Sequence, residues 1–280
     1  MTPPGDAVAS LPYLGSGIGY RREIKDAILA AREQIDFVEV ISDQYLDDRW
    51  LMELRELCEI FPVIPHGISL SVGSATGINP DYIELIKRVS DITGSPYYSE
   101  HLCMTRAPGL EIGHLSPLAL TERTLELAIG NVLAVQEALD KPLVLENVTY
   151  MFSIPGAEMT QAEFFEQLVE ATGCGVLLDV TNVYINSTNH GFDAVEFLTS
   201  MPLESVVQIH LAGGYWAQEV LIDSHSEPVQ EESWQLLEEL VARTAVRAAI
   251  IEHDANFPET LQPVLDQVAR ARSTIETDAE

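Results

Sequence analysis

The 280-residue chain is poor in positive charge: 15 Lys and Arg stand against 44 Asp and Glu, a formal net charge of −29 with His neutral. Such a chain repels phosphate backbones, so nucleic acid is excluded as an expected partner. Cysteine is also scarce. Cys58, Cys103 and Cys174 are odd in number, far apart and free of any CxxC pair, which argues against a disulfide framework and for a reducing, cytoplasmic compartment. No apolar run approaches the roughly 18 residues of a membrane span, and residues 1–12 lack a basic stretch followed by an apolar one. Neither membrane insertion nor secretion is expected. No GxGxxG follows an early strand, which weakens the second-ranked architecture, an open doubly wound sheet.

What is present is an alternation of two periods. Short apolar, β-branched runs at 15–19, 37–41, 63–68, 97–102, 143–148, 176–181, 206–211 and 248–252 alternate with longer segments of helical period, the mark of βα repetition and a parallel sheet. The clearest helices fall at 81–93, 121–139, 160–172 and 231–243, and Thr160 and Glu163 stand in capping-box spacing. Eight units in 280 residues leave about 35 residues each, the size a (β/α)8 barrel requires. The expectation is therefore an α/β, single-domain TIM barrel over 13–272, between a flexible N-terminal segment (1–12) and a C-terminal tail (273–280).

The chemistry emerges when polar residues are placed on those strands. His66, His101, Glu146, Asp179, His210 and Glu252 lie at or near the ends of six consecutive strands, at intervals of 35, 45, 33, 31 and 42 residues. In a barrel they converge on the C-terminal mouth, where active sites of this architecture sit. One polar residue at a strand end needs no explanation beyond a loop backbone that satisfies it. Six in one cavity would repel one another and lose hydration, and bound cations relieve both costs. The connection 212–230 is long and without regular pattern, as functional loops often are. It carries Asp223 and His225, which in an extended chain point the same way and can grip one ion; an ordinary turn is the plainer role. Asn182, three residues after Asp179, offers an amide oxygen or a turn cap. Imidazoles and carboxylates without thiolates suit non-haem iron, manganese or zinc, and there are too many here for one octahedral ion. Two or three ions are expected, with Glu146, in the middle of the set, as the natural bridge. Zinc would favour hydrolysis or isomerisation and iron would favour oxygen activation; donor type leaves that choice open.

From about Gly15 to Arg270 the chain resembles the multinuclear non-haem iron-dependent oxidases, which modify ribosomally made peptides and include the methanobactin-biosynthesis enzymes. The resemblance rests on residues 66–73 (HGISLSVG), 99–102 (SEHL), 145–147 (LEN), 178–184 (LDVTNVY), 210–214 (HLAGG), 223–225 (DSH) and 252–254 (EHD), in that order, and on the opening 15–21 (GSGIGYR). It implies a TIM barrel holding two or three iron ions in a mixed Fe(II)/Fe(III) state, with dioxygen as oxidant. By the same resemblance His66, His101 and Glu146 are ligands of one iron. Glu146, Asp179, His210 and Glu252 are ligands of its neighbour, and Asn182, Asp223 and His225 match a third site. Glu146, Asp179 and His210, at the centre, are taken as the catalytic group. The implied substrate is a precursor peptide, oxidised typically at a cysteine and often delivered by a separate recognition protein.

Other residues are given plainer roles. His253 follows the final Glu where other family members often differ, as an extra ligand or an outer hydrogen-bond donor. His114 and His190 read as loop residues, Cys103 as a buried bystander thiol and Tyr184 as core packing. Two other function classes stay open: a metal-dependent sugar isomerase or hydrolase on the same barrel, and a metal-binding scaffold for a peptide. An isomerase usually needs a Lys or His placed for proton transfer, and no strand end carries a Lys.

Overall fold

A computed structural model describes residues 4–276. Among them the strands are β1 (Gly15–Gly19), β2 (Val38–Ile41), β3 (Val63–Gly67), β4 (Tyr98–His101), β5 (Met104–Ala107), β6 (Leu110–Ser116), β7 (Leu143–Glu146), β8 (Gly175–Asp179), β9 (Val206–Ala212), β10 (Tyr215–Ala217), β11 (Val220–Ile222) and β12 (Ala248–Glu252). The helices are α1 (Pro4–Ala9), α2 (Lys25–Ala30), α3 (Asp48–Cys58), α4 (Pro80–Thr93), α5 (Glu122–Leu139), α6 (Gln161–Thr172), α7 (Val180–His190), α8 (Ala194–Ser200), α9 (Glu231–Val241) and α10 (Gln262–Glu276). Eight strands close into a barrel in the order β1-β12-β9-β8-β7-β4-β3-β2, and every pairing around it is parallel. The expected (β/α)8 barrel is the fold of this chain. No helix of the described residues is long and apolar enough to cross a membrane.

The strands are buried on both faces, as a barrel wrapped in helices demands, and this explains their near-continuous Val, Ile and Leu runs. Alternate residues serve two cores. Outward-facing side chains join the helices in one large cluster, whereas Phe37, Ile64, Tyr97, Val144, Leu177, Val207 and Ile250 form a separate one with Val8 and Leu11. This second cluster is the floor of the barrel interior. Helix caps follow the sequence signals: Thr160 and Glu163 make a complete capping box at α6, and Gly94, Gly173 and Gly191 end α4, α6 and α7 in the left-handed conformation.

Four expectations need adjusting. The sixth strand stops at Asp179 rather than running to 181, because the Asp179 carboxylate accepts a hydrogen bond from the Asn182 N–H at 2.7 Å and starts α7 at once. The segment after the fourth strand, where His114 is read as a loop residue, and the 212–230 connection, read as irregular, contain the antiparallel hairpins β5–β6 and β10–β11; the Pro108-Gly109 pair, with Gly109 at φ +74°, is the turn signal in the first. The N-terminal segment is anchored where it is described: Val8 and Leu11 are buried in the floor, and the Arg247 guanidinium donates to the carbonyls of Leu11 and Ala9 at 2.7 Å. At the other end α10 runs to Glu276 with Ile275 buried, past the expected boundary at 273. Residues 1–3 and 277–280 of the two expected flexible ends lie outside the described residues.

Barrel closure leaves little room at β1. A Cβ at Gly17 would stand 2.3 Å from the Phe37 carbonyl oxygen on the neighbouring segment, whereas Gly130, exposed in α5, has nothing within 4 Å. Gly17→Ala is expected to lower unfolding stability by about 1–3 kcal/mol through overpacking. Gly130→Ala should raise it by up to about 1 kcal/mol through helix propensity. Urea unfolding of the two variants checks the opposite signs.

Candidate metal centre

The interior of the barrel changes character two residues above its floor. Because side chains alternate along a strand, the floor residues Phe37, Ile64, Val144, Leu177 and Ile250 are followed on the same face by Glu39, His66, Glu146, Asp179 and Glu252. These residues and His210 are buried. They fall into three overlapping groups whose ligand atoms lie within 4.8 Å of one another: His66, His101 and Glu146; Glu146, Asp179 and His210; and Glu39, His210 and Glu252. Glu146 faces two ways. Its Oε2 stands 3.3 Å from His66 Nε2 and 3.5 Å from His101 Nε2, and its Oε1 is 3.6 Å from His210 Nδ1. His210 Nδ1 is also 3.1 Å from Glu252.

The structure thus brings His66, His101, Glu146, Asp179, His210 and Glu252 together. Asn182 stands beside Asp179 in the first turn of α7, where its backbone N–H donates to the Asp179 carboxylate, its Nδ2 donates to the Asn147 carbonyl at 3.0 Å and its Oδ1 has no hydrogen bond. Asp223 and His225 meet with Oδ1 and Nε2 2.9 Å apart, and His225 Nδ1 lies 3.7 Å from Glu252. The reason differs from the expected one: the chain is not extended there, because His225 is left-handed at φ +50°. Its backbone is fixed by the Asp254 N–H, which donates to the His225 carbonyl at 2.6 Å.

Each of these four imidazoles turns one nitrogen toward the other donors and has its second nitrogen held by the protein. His66 Nδ1 meets Ser99 Oγ at 3.0 Å and His101 Nδ1 meets the Gly67 carbonyl at 2.9 Å. His225 Nδ1 meets Asp254 at 3.2 Å. For His210 the outer nitrogen is Nε2, which contacts the Glu39 carboxylate at 3.1 Å and Gln208 Nε2 at 2.8 Å; Gln208 donates to Glu39 and accepts from the Tyr97 hydroxyl. This is how metal-binding histidines are commonly oriented. Glu39 therefore serves His210 from outside, since Glu39 and Glu252 sit at opposite nitrogens of the same ring.

Sequence reasoning missed Glu39, Gln208 and Tyr97. The available signal was a carboxylate within the apolar stretch 37–41. It also missed Arg21, whose guanidinium lies 2.6 Å from Asp254 and 3.8 Å from Glu252. Conversely, Glu100, next to His101, is turned away: it accepts from the Leu70 and His101 N–H groups and the Tyr82 hydroxyl. His253 is outside the three groups and contacts the Asn256 carbonyl at 3.4 Å. His190 stacks on Tyr150, Tyr184 packs against the core, and Cys103 is buried with its thiol pushed up by burial and by Glu100 and Glu146. His114 is exposed on β6.

The electrostatics is that of donors awaiting cations. Glu146 Oε2, Asp179 Oδ2, Asn182 Oδ1, His210 Nδ1 and Asp223 Oδ1 are all buried without an aligned hydrogen bond, an unusual concentration for a native interior; the approaches of His225 to Asp223 and of Glu252 to His210 are close in distance but lack hydrogen-bond geometry. Burial, then Glu146 and Asp223, push the Asp179 carboxyl well above its ordinary range. Burial and the neighbouring His101 and His210 pull His66 well below its own. For His101 burial acts downward, but Glu146 and Glu100 outweigh it and push the imidazole up to about 9. The residues present fit a metal site: orphaned oxygens and nitrogens converge, and the donors are imidazole, carboxylate and amide with no thiolate.

Two outcomes follow from this geometry. Glu39→Leu removes the acceptor that orients His210, and metal affinity should fall about 10- to 100-fold while Glu39→Gln loses less. Calorimetric titration of the metal-free protein measures this, and an unchanged affinity in Glu39→Leu would reduce Glu39 to packing. His101 is protonated near pH 7 when no metal is bound, and coordination needs the neutral ring. Because His210 and His225 are pushed up as well, binding should release at least one proton and strengthen as pH rises toward about 9, by about tenfold per pH unit for each proton released. Titrations in buffers of different ionisation enthalpy count the protons.

The fold and the sequence have counterparts. A solved D-psicose 3-epimerase from Clostridium cellulolyticum H10, in a structure with D-tagatose, superposes with a TM-score of 0.57 at 12% identity, covering 95% of each chain. A putative xylose isomerase from Rhodospirillum rubrum gives 0.59 at 10% identity, covering 95% of this chain and 100% of that one. At such identities the likeness is one of fold. A "UPF0276 protein" of Caulobacter vibrioides (strain NA1000 / CB15N) is 38% identical over 266 residues, 93% of this chain and 95% of the relative. Another, from Rhizorhabdus wittichii, is 39% identical over 240 residues, 85% and 86% of the two chains. The sequence model described as "RiPP precursor modification enzyme MbnB/TglH/ChrH" matches residues 15–276. With that match spanning the barrel and every donor named above, the chain belongs to the MbnB/TglH/ChrH family of RiPP precursor modification enzymes.

Proposed function

We propose that this protein is a multinuclear iron-dependent, oxygen-using oxidase. Its substrate is a ribosomally synthesised precursor peptide, modified at one residue, typically a cysteine, in the cytoplasm and with a separate recognition protein to deliver it. The observation that carries this reading is the sharing of Glu146 between two buried donor sets, its two oxygens facing the His66–His101 pair and His210. One carboxylate between two sets of imidazoles suits neighbouring cations that share its charge; two-metal sites also serve hydrolysis, so the oxidase part of the reading rests on membership of the RiPP precursor modification family.

In this reading His66, His101 and Glu146 hold one iron. Glu146, Asp179, His210 and Glu252 hold a second, and Asn182, Asp223 and His225 hold a third. Iron in a mixed ferrous and ferric state supplies the one-electron steps by which dioxygen oxidises the peptide. The chain supplies orientation and charge. Ser99, the Gly67 carbonyl, Glu39 and Asp254 fix the four rings. Arg21 moderates the negative charge of Glu252 and Asp254 at the rim. The apolar floor seals the lower end of the cavity from water. Asp223 and His225, on the segment after β11, are the donors most easily moved when a peptide enters.

The test is elemental analysis with Mössbauer spectroscopy after anaerobic reconstitution with iron and zinc both offered, followed by oxygen uptake and peptide mass with the precursor encoded nearby. Two or three irons per chain and oxygen consumption coupled to a mass change are expected. Glu146→Gln should lose more than one ion and all activity while keeping its circular dichroism. One zinc and no iron would overturn the assignment.

A further inference from the structure

Beside the donor cluster the mouth of the barrel carries two adjoining cavities. The first, of about 210 Å³, lies among β6, the segment after β7, α7 and β11, and reaches Asp223. The second, of about 250 Å³, is walled by Leu118, Val148, Ile154, Phe164 and Phe197 and has no charged residue in its lining. Pro117 and Tyr150 line both cavities, so the two are neighbours.

Resting on the reading that the substrate is a peptide, we propose that the apolar cavity is a side-chain subsite that takes a large aliphatic or aromatic residue flanking the residue to be oxidised. Adjacency to the cavity at Asp223, across Pro117 and Tyr150, sets the occupant, because a side chain seated there is attached to a backbone that can run on into the cavity reaching Asp223. Size agrees: an apolar cavity of about 150 Å³ stays dry and admits benzene, so about 250 Å³ accommodates a leucine or phenylalanine side chain. Charge agrees too, since an ionised side chain would give up its hydration and find no partner in this lining. Met151 and Phe152, 62% and 64% exposed, extend the apolar surface outward from the neighbouring cavity that they line.

The probes are N-acetyl-L-leucine amide, N-acetyl-L-phenylalanine amide and N-acetyl-L-aspartate amide, followed by saturation-transfer NMR on the full chain without added metal. Ala157 lines the cavity from an exposed position, so Ala157→Trp fills it without disturbing the barrel, and Ser153→Asp places a charge in it. The leucine and phenylalanine amides should bind, the aspartate amide at least tenfold more weakly, and each variant should lose at least tenfold for the apolar pair. Equal binding of all three amides, or unchanged binding in Ala157→Trp, overturns the subsite. So does concentration-dependent dimerisation abolished by Ala157→Trp, which would give the cavity to a second copy of the chain. Neither metal nor turnover enters this measurement, so failure of the oxidase reading shows separately, as amide binding without oxygen uptake.

Discussion

The site depends on the two-residue repeat of the barrel strands. Side chains that point into a closed barrel recur at every second position and stack in layers, so a strand that places an apolar residue in the floor must place its next inward residue one layer higher. In this chain the lower layer is Phe37, Ile64, Val144, Leu177 and Ile250, and the layer above it is Glu39, His66, Glu146, Asp179 and Glu252. The floor is fixed by packing, and the donors inherit its rigidity. A carboxylate or imidazole held this way cannot retreat to solvent when no cation is bound. That is why so many buried polar atoms are left without partners.

Hydrogen bonds at the outer nitrogens complete what the layers begin. A layer sets the height of an imidazole but leaves its rotation open. Ser99, Gly67, Glu39 and Asp254 each take one nitrogen and so direct the other. Three of the rings present Nε2 inward, whereas His210 presents Nδ1 because Glu39 and Gln208 occupy its Nε2. Its choice of atom is set three strands away around the barrel, by Glu39 on β2.

This difference in range explains what could be read from the sequence. His66, His101, Glu146, Asp179, His210 and Glu252 were legible because each stands at or near the end of an apolar run, and their spacing repeats the βα unit. Fold and mouth follow from the same pattern. Glu39 was hidden because a lone carboxylate inside a strand has no local partner; Gln208 and Tyr97 make sense only once β2, β4 and β9 face one another across the barrel. Glu100 shows the converse. Beside His101 in sequence it carries a donor carboxylate, but period-two parity turns it outward to the Leu70 N–H and the Tyr82 hydroxyl. The hairpins escaped notice because short strands over the mouth are partly exposed and lack the buried alternation that marks the barrel.

Asp223 and His225 obey a different constraint from the strand-borne donors. No layer holds them; the segment is positioned by close backbone contact, with Gly213 so near Glu227 that a Cβ there would stand 1.8 Å from its carbonyl oxygen. His225 takes a left-handed conformation that β-carbon sterics disfavour, and it is kept there by the Asp254 N–H on its carbonyl and the Asp254 carboxylate on its ring. Asp254 in turn pairs with Arg21, which follows β1. These donors are thus tied to both sides of the β1–β12 seam, although their own segment follows β11. Strain of this kind persists where surrounding contacts over-determine it. Release of the Asp254 contacts would loosen His225 without opening the barrel, since none of the floor residues takes part. The centre therefore combines a rigid set of donors with a separable one, and the cavity that reaches Asp223, neighbour to the apolar one, opens at the separable part.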